Sequence, residues 1–185
     1  MTHRYHFDRS KAFYPLVIAY LAQLHGLKAI LCFRSNQSLR SNVPEDDPNL
    51  QLLGPLTLRV QGDIRSLEIS LEEVTDELVG NLDYLLPIYV QAAQTILSNA
   101  HEALKHVGHK SKAVEFLRHA RNAAAHNGRW HFLNGEPRYP AEWRGIKLSA
   151  ADYGLPLLKL LSEPGTLELG DPVALLWDIE QEYTG

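Results

Sequence analysis

The chain has 185 residues, 45% of them hydrophobic and 22% charged, a balance that supports a folded core and excludes the low-hydrophobicity, high-charge profile of disorder. That length suits one domain over residues 1–185 and is short for two. A net charge of −4 argues against a surface built as a whole for sequence-independent nucleic-acid binding.

Residues 1–12 carry His, Arg, Asp and Lys with no small-residue cleavage site after them, so no secretory signal is expected. The apolar run Tyr14 to Leu24, broken by Pro15 and Gln23, falls short of the roughly 18–20 residues of a membrane span. The expectation is therefore a cytoplasmic protein with no membrane partner. Asp8 or Ser10 offers an N-cap, Leu16, Val17, Tyr20, Leu21 and Leu24 an apolar face, and Gly26 a stop, which predicts a helix over 8–25 disturbed by Pro15; Leu27 to Phe33 can extend it. The one cysteine, Cys32, lies in that apolar stretch and reads as a small buried hydrophobe. Residues 35–55 show no period and read as a long polar loop, and Leu56 to Val60 alternates like a short strand.

From Ser70 the period becomes helical. Ser70 and Glu73 form a capping box, and Leu71, Val74, Leu78, Leu82, Leu85 and Tyr89 make one stripe that Pro87 should kink or divide. Ala93, Ile96, Ala100, Leu104 and Val107 continue it to Gly108. Ser111 then caps a partner helix that ends at His126, with Val114, Leu117, Ala120 and Ala124 inward and Asn127-Gly128 as a left-handed stop. Trp130 to Leu133, the Asn134-Gly135 turn and Trp143 to Leu148 predict a small β-hairpin. Asp171-Pro172 opens a last helix through Val173, Leu176, Trp177 and Glu180. The predicted fold is mainly α: an up-and-down bundle with a long helix hairpin, followed by that β-hairpin.

Charge is unevenly distributed along this framework. Residues 63–83 are acidic, whereas residues 101–131 hold Lys105, Lys110, Lys112, Arg118, Arg121 and Arg129 against Glu102 and Glu115, together with His101, His106, His109, His119, His126 and His131. Within the basic helix, Asn122 and His126 stand four apart on one face, Arg118 precedes them by four, and Arg121 lies about 100° around the axis from Asn122. Ala123, Ala124 and Ala125 leave room for close approach by another backbone or a polynucleotide. An imidazole can move a proton on or off a ribose hydroxyl, and a guanidinium can hold phosphate oxygens while charge grows on them. These are the needs of metal-free RNA cleavage, with Arg121, Asn122 and His126 as the candidate catalytic set and Lys105, Lys110, Lys112, Arg118 and Arg129 as candidate phosphate contacts.

The segment FLRHARNAAAHNG, residues 116–128, resembles the signature helix of the HEPN superfamily, an Arg and a polar residue followed after a short spacer by a His; Arg121, Asn122 and His126 match its positions. The resemblance implies a helical bundle that dimerises through this helix so that Arg and His of both protomers line one cleft. It further implies a metal-independent endoribonuclease of toxin, antiviral-defence or RNA-processing type, with an antitoxin or regulatory protein as a potential partner. One branch of the family carries a tyrosine two residues after the histidine that a partner enzyme modifies; here that position is Gly128, so the resemblance does not extend to that control.

Three other readings stand beside this one. Arg121 can pair with an acidic neighbour while His126 merely ends a helix, where a cation suits the dipole. A catalytically silent relative can bind RNA, a nucleotide or a protein without cutting. A plain helical interaction domain can use the acidic segment and Trp130, Trp143 or Tyr139 as anchors. No metal site or cofactor is expected: His101-Glu102 with His106 has one residue too many for the zinc-protease motif, and a spacing of five turns the imidazoles about 140° apart. No phosphate-cradling glycine loop or glycine-flanked nucleophile is present.

Overall fold

The structure, a computed structural model, describes residue 9 and residues 12–35, 56–59, 66–69, 71–81, 84–105, 110–159 and 164–184. The caps expected at Asp8, Ser10 and Ser70, the 36–55 loop, the Gly108 stop, His106 and His109, and the Cys32 side chain lie outside the described residues. The chain is mainly helical: α1 (Tyr14–Ser35), the strands β1 (Leu56–Arg59) and β2 (Ser66–Ile69), then α2 (Leu71–Gly80), α3 (Leu85–Leu104) and α4 (Lys112–Ala125). The short strands β3 (Glu142–Trp143) and β4 (Ile146–Lys147), a 3₁₀ turn (Ala150–Asp152) and α5 (Asp171–Thr184) complete it. Among the described residues no helix is long and apolar enough to cross a membrane. By packing, the chain divides into two compact units, residues 24–87 and residues 1–23 with 88–185.

In the unit of residues 24–87, β1 and β2 pair antiparallel with Leu56 opposite Ile69 and Leu58 opposite Leu67. On α2, Thr75 and Leu78 are buried while Glu73, Val74, Asp76 and Glu77 are exposed, so the predicted stripe is corrected at Val74. The predicted helix through 70–107 is also interrupted earlier than Pro87: α2 ends at Gly80 and α3 starts at Leu85. Pro87 then falls in the first turn of α3, where its missing N–H has no intrahelical partner to lose. The same reason explains why Pro15 stands in the first turn of α1, which begins at Tyr14, instead of breaking it; the expected stop at Gly26 is not taken, and the helix runs on to Ser35.

The larger unit is built on α4. Ser111 caps it from an extended backbone, its hydroxyl accepting from the Val114 N–H at 3.2 Å, and the chain leaves it through Asn127 and Gly128 at φ 55° and 70°, the expected left-handed stop. A Cβ on Gly128 would stand 3.4 Å from the Gln94 side chain and 3.6 Å from Val90, while at the other end Arg121 reaches Glu102. Helices α3 and α4 therefore run antiparallel, as predicted, and α3 buries Ala93, Ile96, Ala100 and Leu104 on the expected stripe. Helix α4 buries more than one stripe: Ala113, Phe116, His119 and Ala123 join Leu117, Ala120 and Ala124, because the chain after it returns to pack β3 and α5 on its other side.

That return corrects two expectations. Trp130 and Trp143, which the interaction-domain reading would use as anchors, are instead core, 1% and 4% exposed, and pack on Phe116 with ring centroids at 5.5 and 5.9 Å. Their indole N–H groups donate to the Thr166 hydroxyl at 2.7 Å and to Asp178 at 2.8 Å, as buried indoles require. The hairpin is also differently placed. Glu142 pairs with Lys147 and Trp143 with Ile146 around a two-residue turn, Arg144-Gly145, with both φ values positive at 46° and 80°, the hallmark of a type I′ connection. Trp130 to Leu133 takes no part in it; Arg129 bridges to Pro156 instead. Arg144 tolerates its left-handed backbone because its guanidinium donates twice to Asp178, at 2.6 and 3.0 Å, and lies 5.2 Å from the Trp143 ring centre.

Asp178 thus holds an indole and a guanidinium at once. Asp178→Ala should lower stability by about 1–3 kcal/mol because it strips a buried donor of its acceptor, a fall of roughly 2–4 °C per kcal/mol for a chain of this size. A thermal or urea midpoint equal to that of the unsubstituted protein would show that the hairpin does not depend on this carboxylate.

Candidate functional site

Helix α4 and the chain that folds back from it carry the candidate groups, with His101 and Glu102 of α3 beside them. Beyond the Asn127-Gly128 reversal, His131 lands on His126: the two imidazoles stack with centroids 3.8 Å apart and planes 24° from parallel. His126 is the C-cap residue of α4, and its ring is exposed. His131 Nδ1 lies 3.3 Å from the Tyr153 hydroxyl, and the Arg129 guanidinium donates to the carbonyl of Gly154, next in sequence to Tyr153, at 3.1 Å. Two imidazoles, a phenol and an arginine so gather at one end of the helix. His131 and Tyr153 were not among the residues singled out from sequence; the signal for His131 was the sharp left-handed stop, which folds a residue five positions on back over the helix end.

The three residues of the motif divide. Arg121 Nη1 donates to Asn122 Oδ1 at 3.3 Å, so Asn122 orients the guanidinium, and Arg121 Nη2 reaches Glu102 on α3 at 3.6 Å. Arg121 turns to Asn122 and Glu102 while the His126 ring stacks on His131; a spacing of five residues sets the two positions about 140° apart around the helix. Glu102 also binds Lys105 at 2.6 Å and lies 3.9 Å from His101 Nδ1. The Lys105 hydrogen bond holds the Glu102 carboxyl below its ordinary range, with the charges of Lys105 and Arg121 adding to it. Burial first, and Arg121 second, pull the His101 imidazole below its ordinary value, against the opposing pull of Glu102.

The expected phosphate contacts are largely engaged within the chain. Lys112 binds Glu142 at 2.8 Å, Arg118 binds Glu115 at 2.7 Å, and Lys105 binds Glu102, all partly exposed pairs of the kind that exchange readily with solvent and ligand. Lys110 is exposed just before the Ser111 cap. Of the three alanines expected to leave room for another molecule, Ala123 and Ala124 are buried in this chain's own core, and only Ala125 is exposed.

His119 is the other chemical group on α4, and its environment is opposite to that of His126. It is 3% exposed and packs edge-on against Phe132 at 5.2 Å. Its Nε2 accepts from Arg118 at 3.2 Å; because arginine only donates, the ring proton sits on Nδ1, which is buried without a hydrogen bond. Burial, reinforced by the Arg118 charge and opposed by Glu115, pushes the imidazole down to about 4. Among the described residues no three His, Cys, Asp or Glu side chains converge as a metal-binding group.

No family model matches the chain, and neither does any curated protein or solved structure.

The His119 environment has a measurable consequence. The folded chain resists protonating this ring until about pH 4, whereas the unfolded chain takes up the proton near pH 6.5. Between those values the unfolded state binds the extra proton, so stability falls as pH falls through the window, by up to about 3 kcal/mol from this residue. His119→Gln should flatten that part of the profile, read as urea midpoints between pH 7 and pH 4. An unchanged slope would mean that His119 is not the group that titrates.

Proposed function

We propose that the chain is a metal-independent endoribonuclease that cuts single-stranded RNA as a homodimer, the toxin or defence type of activity that the HEPN resemblance implies. The observation that carries this reading is the exposed His126 imidazole stacked on His131 at 3.8 Å. Phosphodiester transesterification without a metal needs one group to accept a proton and a second to give one. In this reading His126 takes the proton of a ribose 2′-hydroxyl, and the 2′-oxygen attacks the adjacent phosphorus. The bond from phosphorus to the 5′-oxygen breaks, and His131, set by the Tyr153 hydroxyl, returns a proton to that oxygen. The products are a 2′,3′-cyclic phosphate and a 5′-hydroxyl. Arg121, oriented by Asn122, and Arg129, beside Tyr153, supply guanidinium charge for the phosphate. The two-fold cleft implied by the resemblance would bring the partner's motif helix to the same place.

A second reading has its own support: Arg121 already leans on Glu102, as it would in a silent module that binds RNA, a nucleotide or a regulatory protein through the same surface without cutting.

Incubation with mixed single-stranded RNA in EDTA separates the two. Cleavage should leave cyclic phosphate ends; His126→Ala should lower the rate by about two to four orders of magnitude with RNA affinity nearly intact. Arg121→Ala should harm rate and, more modestly, affinity, and Arg121→Lys should not restore it, since a point charge replaces a planar fork. Activity that survives in both alanine variants, or that appears only with added divalent metal, contradicts the assignment. Binding without cleavage selects the silent module.

A further inference from the structure

At the amino-terminal end of α4 a groove of about 480 Å³ runs between Lys112, the segment Glu136 to Glu142, and Lys147 to Ala150. Three cations border it. Lys112 is occupied by Glu142 at 2.8 Å, while Arg138 and Lys147 are exposed. Tyr139 is 50% exposed, with the Arg138 guanidinium 5.3 Å from its ring centre. The half-exposed ring thus offers aromatic surface beside positive charge. Glu136 and Glu142 also line the groove, and Glu142 lies opposite Lys147 across the β3–β4 pair, within reach of its charge.

The groove is joined to the histidine pair by one turn of chain. Its wall at Ser149 and Ala150 is the start of the 3₁₀ turn whose backbone bonds, Asp152 N–H to Ser149 O at 3.1 Å and Tyr153 N–H to Ala150 O at 3.2 Å, carry the chain directly to Tyr153. Tyr153 meets His131 with ring centroids 5.4 Å apart. One turn therefore walls the groove at its beginning and touches the histidine pair at its end. Along α4, Lys112 and His126 are about 21 Å apart, the length of a short run of nucleotides.

We propose that this groove holds the single-stranded RNA flanking the bond addressed by His126 and His131, with a base stacked on the exposed surface of the Tyr139 ring and backbone phosphates on Arg138 and Lys147. The inference rests on the RNA-cleavage reading for the identity of its ligand. An exposed tyrosine face flanked by cations suits a nucleobase with its phosphates better than an acidic peptide, which has charge but no aromatic ring to stack.

The test uses the full chain and a fluorescent single-stranded 2′-O-methyl RNA, which has no free 2′-hydroxyl to react, read by anisotropy. Tyr139→Ala and Lys147→Glu should each weaken binding about five- to a hundredfold, Tyr139→Trp should keep it, and affinity should fall steeply with salt. Tyr139 is half exposed, so the variants retain the fold, which circular dichroism checks. Unchanged affinity in both variants while the unsubstituted protein cleaves RNA overturns the groove and leaves the reaction standing. Groove-dependent binding with no cleavage by the unsubstituted protein supports the groove and overturns the reaction. Failure to bind the probe, or displacement of it by a poly-glutamate peptide at equal concentration, overturns the groove.

Discussion

The packing of Trp130 and Trp143 on Phe116 is the constraint on which the rest of the larger unit depends. A helix with one apolar stripe needs one neighbour; α4 has Leu117, Ala120 and Ala124 on the side predicted from its period and Phe116 on another, so it needs a second. The chain that follows supplies it by bringing two indoles back to Phe116. Large aromatic side chains bury more area than any other choice and prefer the tilted and edge-on contacts found here. Once both tryptophans are committed inward, their N–H groups must find acceptors. Thr166 and Asp178 meet that need, tying the segment before α5, and α5 itself, to the same cluster.

The turn at the end of α4 follows from that closure. To return Trp130 toward Phe116 the chain has to reverse within a few residues, and Asn127 and Gly128 do so through left-handed backbone, a conformation cheap for glycine and tolerable for asparagine. Gly128 serves a second purpose, since it lies against Gln94 and Val90 of α3. The stacking of His131 on His126 is a by-product of the reversal: with Trp130 inward, the next residue passes the exposed end of the helix. The candidate chemistry thus sits on a rigid corner held by core packing, which suits groups that must keep a fixed separation.

Histidines on one helix face different fates because their surroundings differ. His119 and His126 are seven residues apart and therefore on nearly the same side of α4. His119 is sealed under Phe132 with a guanidinium at its nitrogen, which keeps it neutral; His126, beyond the last turn, is exposed to solvent. The wealth of histidine in the segment 101–131 is thus not a single device. His119 belongs to the core, His101 to a mixed charge cluster with Glu102 and Arg121, and His126 and His131 to the surface pair.

What the sequence determined by itself was local. Helical period, the Ser111 cap, the Asn127-Gly128 stop and the Asp171-Pro172 start depend on neighbours three or four residues away, and for that reason they mark α4 and, to within one residue, the start of α5; the break after Gly80 that precedes α3 carries no such local signal. The Arg121-Asn122 bond is local in the same sense. Tertiary structure decided everything that depends on residues far apart in the chain. It decided that Ala123 and Ala124 pack internally, that Trp130 and Trp143 are core while Tyr139 is exposed, and that Arg121 turns to Glu102 on another helix. It set the hairpin at Arg144-Gly145, where Asp178, 34 residues on, holds the side chain of a left-handed arginine. It also put His131 on His126 and Tyr153 on His131, since ring contacts across a chain reversal depend on where the core draws the backbone, which no periodicity encodes.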